Sequence, residues 1–380
     1  MSSPVGGQCA GRLQLYELER RGVEEWQLHW LLPLQMISGT RAPARRFRRG
    51  DETMRWFSLL CLALCAAPLA AETPRRPDGK PDLQGVWTNA SLTRLSRPAS
   101  IEELVLSPER AAELAGSHFH NVRAAKDALP RSADRQAPEK LERLPPVGNY
   151  NTSYVEPGTA YGVVRGEIRS SWIVEPKDGG APYRDDLLDR VRARRAGRDT
   201  PDDPESFSLG ERCLLGFGGT AGPPMLNVLY NNYYRIVQTE DHLVILVEMV
   251  HDARIVRLGD EAASERSGVP RWLGDSVGRW EGDTLVVETT SFHPSRELSG
   301  PVYHRRDARV VERFTRVAED EMLYEFSVDD PGSYTQPFRG EMTFRSVESK
   351  VYEYACHEGN YAMPTMLKGA RLLEREAGEQ

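Results

Sequence analysis

From Tyr233 onward the chain alternates short runs of β-branched, aromatic and other apolar residues with polar, turn-forming links. Most runs have a period of two, which places every second side chain on one face of a strand. Residues 234–239 and 242–250 flank the turn Glu240-Asp241 and read as a hairpin whose second strand is apolar on both faces. Residues 254–258, 284–290, 309–317, 322–328, 340–346 and 351–356 read as further strands. No helical pattern separates them, so they form an antiparallel meander, and a meander of about eight strands closes most naturally into an up-and-down barrel. The predicted fold is mainly β, with an antiparallel up-and-down β-barrel over residues 216–356 and a C-terminal segment at 357–380.

Residues 72–215 show a weaker pattern and read as an irregular N-terminal arm with short helices, packed on the barrel. Gly85-Val86-Trp87 opens a short strand after a turn-rich lead. Ser107-Pro108-Glu109 supplies an N-cap, a first-turn proline and an acidic first turn, and so predicts a helix over Ala111–Leu114. Residues 117–150 are polar and aperiodic and read as loop. Leu187, Leu188 and Val191 sit at helical spacing in a charged stretch, which predicts a solvated surface helix.

Residues 54–71 break this picture with one strongly apolar run that starts Met-Arg and ends in small residues. It is too short to span a bilayer comfortably and reads as a signal peptide, leaving no stable membrane span once it is removed. Residues 1–53 then read as a non-native or disordered leader. Of five cysteines, only Cys213 and Cys356 lie beyond the signal run. Two thiols in a periplasmic or secreted protein predict a disulfide, with buried free thiols as the alternative. A net charge of −7 with scattered basic residues leaves no footprint for nucleic acid.

Three constellations offer chemistry. Gly274-Asp275-Ser276-Val277-Gly278 matches G-x-S-x-G, but a nucleophile elbow leads into a helix. Here the following residues turn at Glu281-Gly282-Asp283 and enter a strand. Ser276 therefore reads as a turn residue rather than a nucleophile, with Trp272, Asp275 and Trp280 as candidate ligand contacts at a barrel rim. Glu248, His251, Asp252 and Arg254 form the second group, either a proton-transfer site or a structural ion-pair network. His357 and Glu358, beside Cys356, form the third, with Tyr361 as a further ligand contact; His357 is either a proton carrier or a loop-bonded histidine. The His and acid types suit zinc or iron, but sequence does not bring the two pairs together, so no metal site is assigned. No P-loop, dinucleotide fingerprint or C-x-x-C is present, so no cofactor is expected.

The strings PDLQGVW (81–87), RSSWIVEPKDGG (169–180), GDSVGRWEGDTLVVETTSF (274–292), VVERFTRV (310–317), YEFSVDDP (324–331) and CHEGNYAM (356–363) resemble a family of secreted bacterial proteins of uncharacterised function. The resemblance covers most of residues 80–372 and implies no reaction. In layout the barrel segment is also similar to the lipocalin-like (calycin) group, whose members bind apolar or aromatic ligands and include a few cofactor-independent enzymes. That likeness implies an exported protein that takes up an apolar or aromatic small molecule in its barrel. As an enzyme it would be a cofactor-independent lyase or isomerase using the His and acid pairs. The alternatives are a metal-dependent or serine hydrolase, or a non-enzymatic envelope interaction protein.

Overall fold

A computed structural model describes residues 73–128, 155–196, 202–259 and 268–378. The leader, the signal run and residues 129–150 of the expected loop lie outside these residues. The arm contributes strand β1 (Gly85–Thr88), a small sheet of β2 (Val105–Leu106), β3 (Val163–Val164) and β4 (Glu167–Arg169), and strand β5 (Ile173–Glu175). It also carries helices α1 (Pro108–Ser117), α2 (Phe119–Asp127) and α3 (Asp185–Ala196). The Ser107 hydroxyl caps α1 by accepting from the Arg110 N–H at 3.2 Å. α3 buries Leu187 and Val191, as its spacing predicts. α2 forms inside the segment expected to be loop.

Eight strands follow: β6 (Tyr233–Gln238), β7 (His242–Val247), β8 (Ala253–Leu258), β9 (Asp275–Glu281), β10 (Thr284–Thr290), β11 (Arg309–Arg316), β12 (Glu321–Asp329) and β13 (Phe338–Ser346). They pair in sequence order, β1 lies between β6 and β13, and the ring closes with nine strands, while β5 pairs β13 at Arg339 and Gly340, away from the β1 pairing at Arg345 and Ser346. The barrel is therefore the mainly antiparallel one expected, with one difference. A closed ring needs an even number of antiparallel pairs, so nine strands require at least one parallel pair. That pair is β8–β9. The link 259–274 is long enough for the crossover that parallel neighbours need.

The strand set itself also differs from expectation. Residues 351–356 are not a strand, and the strand that closes the ring is β1, from the arm. β7 stops at Val247, because Val250 and His251 take left-handed backbone, with φ of 60° and 47°. The stretch around Ser276 is not a turn but strand β9, which pairs β10 through the two-residue turn Gly282-Asp283.

Inward-facing side chains fill the barrel. Tyr234 packs on Phe344 at a centroid distance of 5.2 Å, Phe344 on Tyr324 at 5.3 Å, and Tyr324 on Phe314 at 5.1 Å. Edge-to-face and tilted pairs of this kind add about 0.5–1.5 kcal/mol each beyond their buried area. Trp87 is fully buried, its indole N–H donates to the Leu83 carbonyl at 3.0 Å, and Arg316 lies over its ring. Helix α4 (Ala362–Gly378) follows the barrel and leaves Leu372 and Leu373 exposed. Among the described residues no helix is long and apolar enough to cross a membrane.

Candidate functional site

Strand alternation turns Arg254 of β8 into the barrel, where no water can solvate it, so its charge must be met by protein. Glu312 of β11 meets it with both oxygens: Nη1 donates to Oε1 at 2.8 Å, and Nη2 donates to Oε2. The Arg254 Nε donates to the Ser276 hydroxyl at 3.1 Å, and Nη2 donates to the Thr289 hydroxyl at 3.0 Å. Tyr324 donates to Glu312 Oε1 at 2.7 Å and accepts from the Met225 N–H at 2.9 Å. Burial works against the guanidinium charge, but Glu312's charge and hydrogen bonds outweigh it and hold Arg254 above its ordinary value. Ser276 is thus a buried member of a closed network in mid-strand. It sits in a strand that leads to another strand, and among the described residues its hydroxyl bonds Arg254 and Thr289 rather than a histidine or carboxylate base.

The other members of that group point elsewhere. Glu248 is buried, and its Oε1 accepts from the Tyr352 N–H at 3.0 Å, pinning the C-terminal segment. His251 is exposed, with Nδ1 at 3.1 Å from the Tyr354 carbonyl. Asp252 accepts from the Gly216 N–H at 2.8 Å. Burial raises the Asp252 carboxyl from 3.8 to about 6, against the opposing pull of that N–H, of Arg296 and of His251. The folded state therefore holds this proton more tightly than the unfolded chain does. Asp252's contribution is fully present below about pH 4 and is lost as pH rises through about 6. Asp252→Asn is expected to raise stability at pH 8 by up to about 2–3 kcal/mol and to leave it unchanged at pH 4, as read by urea unfolding at both values.

Cys213 and Cys356 are bonded to each other, with Cα atoms 5.7 Å apart. His357, Glu358 and Tyr361 follow the bridge on the surface. No hydrogen bond or ion pair joins His357 or Glu358 to His251 or Asp252. Among the described residues no group of three or more His, Cys, Asp or Glu is placed to hold a metal. Trp272 stacks on His293 at 3.9 Å, Asp275 is buried against Arg257 at 3.1 Å, and Trp280 packs against the barrel core under Lys80. The residues expected at one rim are therefore spent on separate structural contacts.

Several cavities lie outside the barrel among the described residues, and two of them have no inward-facing barrel side chain in their walls. One, of about 520 Å³, is bounded by the disulfide, Phe207, Phe217 and the α4 residues Met363 and Met366. The other, of about 590 Å³, opens between the arm and the loop that carries Leu226–Leu229. The second is braced by hydrogen bonds across its walls. Asn227 donates to the Ser91 and Thr93 carbonyls at 2.7 and 3.1 Å and accepts from the Trp172 indole N–H at 2.7 Å. Trp172 and Ile173 donate their backbone N–H groups to the Arg94 and Leu95 carbonyls, and Arg97 donates its own to Gly179. Arm and barrel loop are thereby locked across the cleft.

Its lining mixes apolar and aromatic side chains with polar ones, Ser91, Thr93, Ser96 and Asn227 among them. Leu95, Leu226 and Val228 line it beside Tyr183, whose hydroxyl donates to the Pro301 carbonyl at 2.7 Å. Phe119, at the start of α2, is 46% exposed and so offers an open ring face. His118 lies beside it at 4.7 Å. Burial, then Arg94 and His120, lower the His118 pKa, and its Nδ1 accepts from the His120 N–H at 3.4 Å. Near neutral pH its proton therefore sits on Nε2. Arg94 and Arg97 complete the lining. None of these residues stands among the sequence candidates. The one available signal is that residues 83–101 carry two arginines and no acid in a chain with 28% charged residues. No protein family, curated protein or solved structure matches this chain.

Proposed function

We propose that the mature chain is an exported protein that binds an apolar or aromatic small molecule, held not inside the barrel but in the cleft between arm and barrel. The observation that carries this is the cleft itself: about 590 Å³, braced by Asn227, with the Phe119 and Tyr183 rings and the Leu95, Leu226 and Val228 side chains on its walls. Small-molecule sites typically run from about 300 to 1,000 Å³. The packed barrel interior moves the ligand outward relative to the lipocalin-like layout. Export is supported by the apolar run at 54–71 and by the pairing of the two cysteines beyond it.

Titration with the neutral fluorescent aromatic N-phenyl-1-naphthylamine tests the proposal. Saturable enhancement is expected, with a Kd on the order of 10 μM. Phe119→Ala is expected to weaken it by about 3- to 10-fold, the value of one aromatic contact. Leu373→Ser, on the exposed face of α4, is expected to leave the titration unchanged. Enhancement that survives Phe119→Ala but falls with Leu373→Ser would place binding on α4 and overturn the proposal.

A further inference from the structure

We infer that the cleft selects an aromatic anion, a ring system carrying one carboxylate-like or sulfonate-like group; the inference rests on the cleft being the binding site. Two arginines line the cleft, and no Asp or Glu does among its described lining residues. Several arginines elsewhere are matched to carboxylates, Arg254 to Glu312, Arg257 to Asp275, Arg309 to Glu288 and Arg313 to Glu281, while Arg296 and Arg316 donate to backbone carbonyls instead. Neither Arg94 nor Arg97 has a carboxylate partner among the described residues. In an acidic protein of net charge −7, this is a local reversal of sign.

The two charges have different roles. Arg97 is held in place: its Nη1 donates to the Glu102 carbonyl at 2.8 Å, while its Nε and Nη2 are buried without a hydrogen-bond partner. Gly179 covers that edge in left-handed backbone, with φ of 72°, and a Cβ there would lie 2.9 Å from both nitrogens. Arg97 thus contributes a fixed positive field beneath the cleft rather than a contact. Arg94 is exposed and close enough to His118 to lower its pKa, so it can close on a ligand at the mouth. The His118 Nε2–H adds a neutral donor. An uncharged ligand would leave both guanidinium charges unanswered, whereas a single anionic group between Arg94 and His118 accepts charge-assisted hydrogen bonds from Arg94 and lies in the field of Arg97. The rings of Phe119 and Tyr183 set the aromatic part.

The matched probe is 1-anilinonaphthalene-8-sulfonate, which is N-phenyl-1-naphthylamine with one sulfonate added. At low salt it is expected to bind wild-type protein at least about tenfold more tightly than the neutral probe, with the ratio falling severalfold in 0.5 M NaCl as screening rises. Arg94→Gln, at an exposed position that leaves the fold intact, is expected to weaken the sulfonate about tenfold and the neutral probe less than about twofold. Equal affinity of the two probes in wild-type protein, or a sulfonate preference that persists in Arg94→Gln, overturns the anion inference alone. If neither probe responds to Phe119→Ala, the cleft assignment itself fails.

Discussion

Glu312→Gln is expected to destabilise the protein by about 3–5 kcal/mol, because it removes the only charge that answers Arg254 inside the barrel among the described residues. Isolated, the Arg254 cation would keep Ser276 and Thr289 as neutral partners, and a neutral amide accepts at one oxygen where the carboxylate accepts at two. Removing both charges differs in kind from removing one. The double substitution Arg254→Met with Glu312→Leu is expected to recover part of the loss, since Ser276 and Thr289 still bond each other at 2.8 Å and Tyr324 still accepts from Met225, while the Tyr324 hydroxyl loses the acceptor Glu312 gave it. Urea unfolding followed by tryptophan fluorescence measures all three proteins. A Glu312→Gln cost below about 1 kcal/mol would mean that water reaches the network and that the barrel interior is open.

Loss of the disulfide is the second large effect. The bridge joins residues 143 apart and encloses the chain from ahead of β6 to beyond β13. A cross-link over a loop of that length removes unfolded-state entropy worth roughly 5 kcal/mol on the chain-entropy account. Cys213→Ser with Cys356→Ser, or reduction of the native protein, is expected to lower the urea midpoint accordingly. The local consequence is specific as well. The segment just before Cys356 supplies the Tyr352 N–H to the buried Glu248 carboxylate. Its release should speed hydrogen exchange at the Tyr352 amide before the barrel strands respond. Identical midpoints for oxidised and reduced protein would show that the bridge constrains nothing.

Much of the barrel was legible because period-two patterning survives wherever one strand face is buried. Residues 284–290 match β10 end for end, and 309–317 and 322–328 match β11 and β12 to within a residue. β9 escaped because two of its three inward positions are Ser276 and Gly278, leaving Trp280 as the one apolar residue on that face. Ser276 is polar to serve Arg254, and a Cβ on Gly278 would lie 2.9 Å from Leu258 on the parallel neighbour. Closure by β1 was illegible for another reason: four residues in a turn-rich arm carry no sign of which sheet they join. The pairing of Cys213 with Cys356 was legible from the count of cysteines beyond the signal run.

The candidate site was hardly legible at all. Attention falls naturally on His251, His357 and Ser276, whose residue types suit chemistry, yet His251 serves a backbone carbonyl and Ser276 an ion pair. The cleft arises only when the 91–98 segment, the α1–α2 junction and the loop at 226–229 are brought together, and such long-range convergence has no local signature. Asn227, which ties two of these pieces together, reads in sequence as one loop asparagine.

The most direct test of the central claim is a crystal structure of residues 72–380 soaked with 1-anilinonaphthalene-8-sulfonate. The expected result is ligand density between Phe119 and Tyr183 with the sulfonate beside Arg94, and with Tyr324 and Phe344 unmoved inside a filled barrel. Density within the barrel, or along α4 with the arm cleft empty, would contradict it.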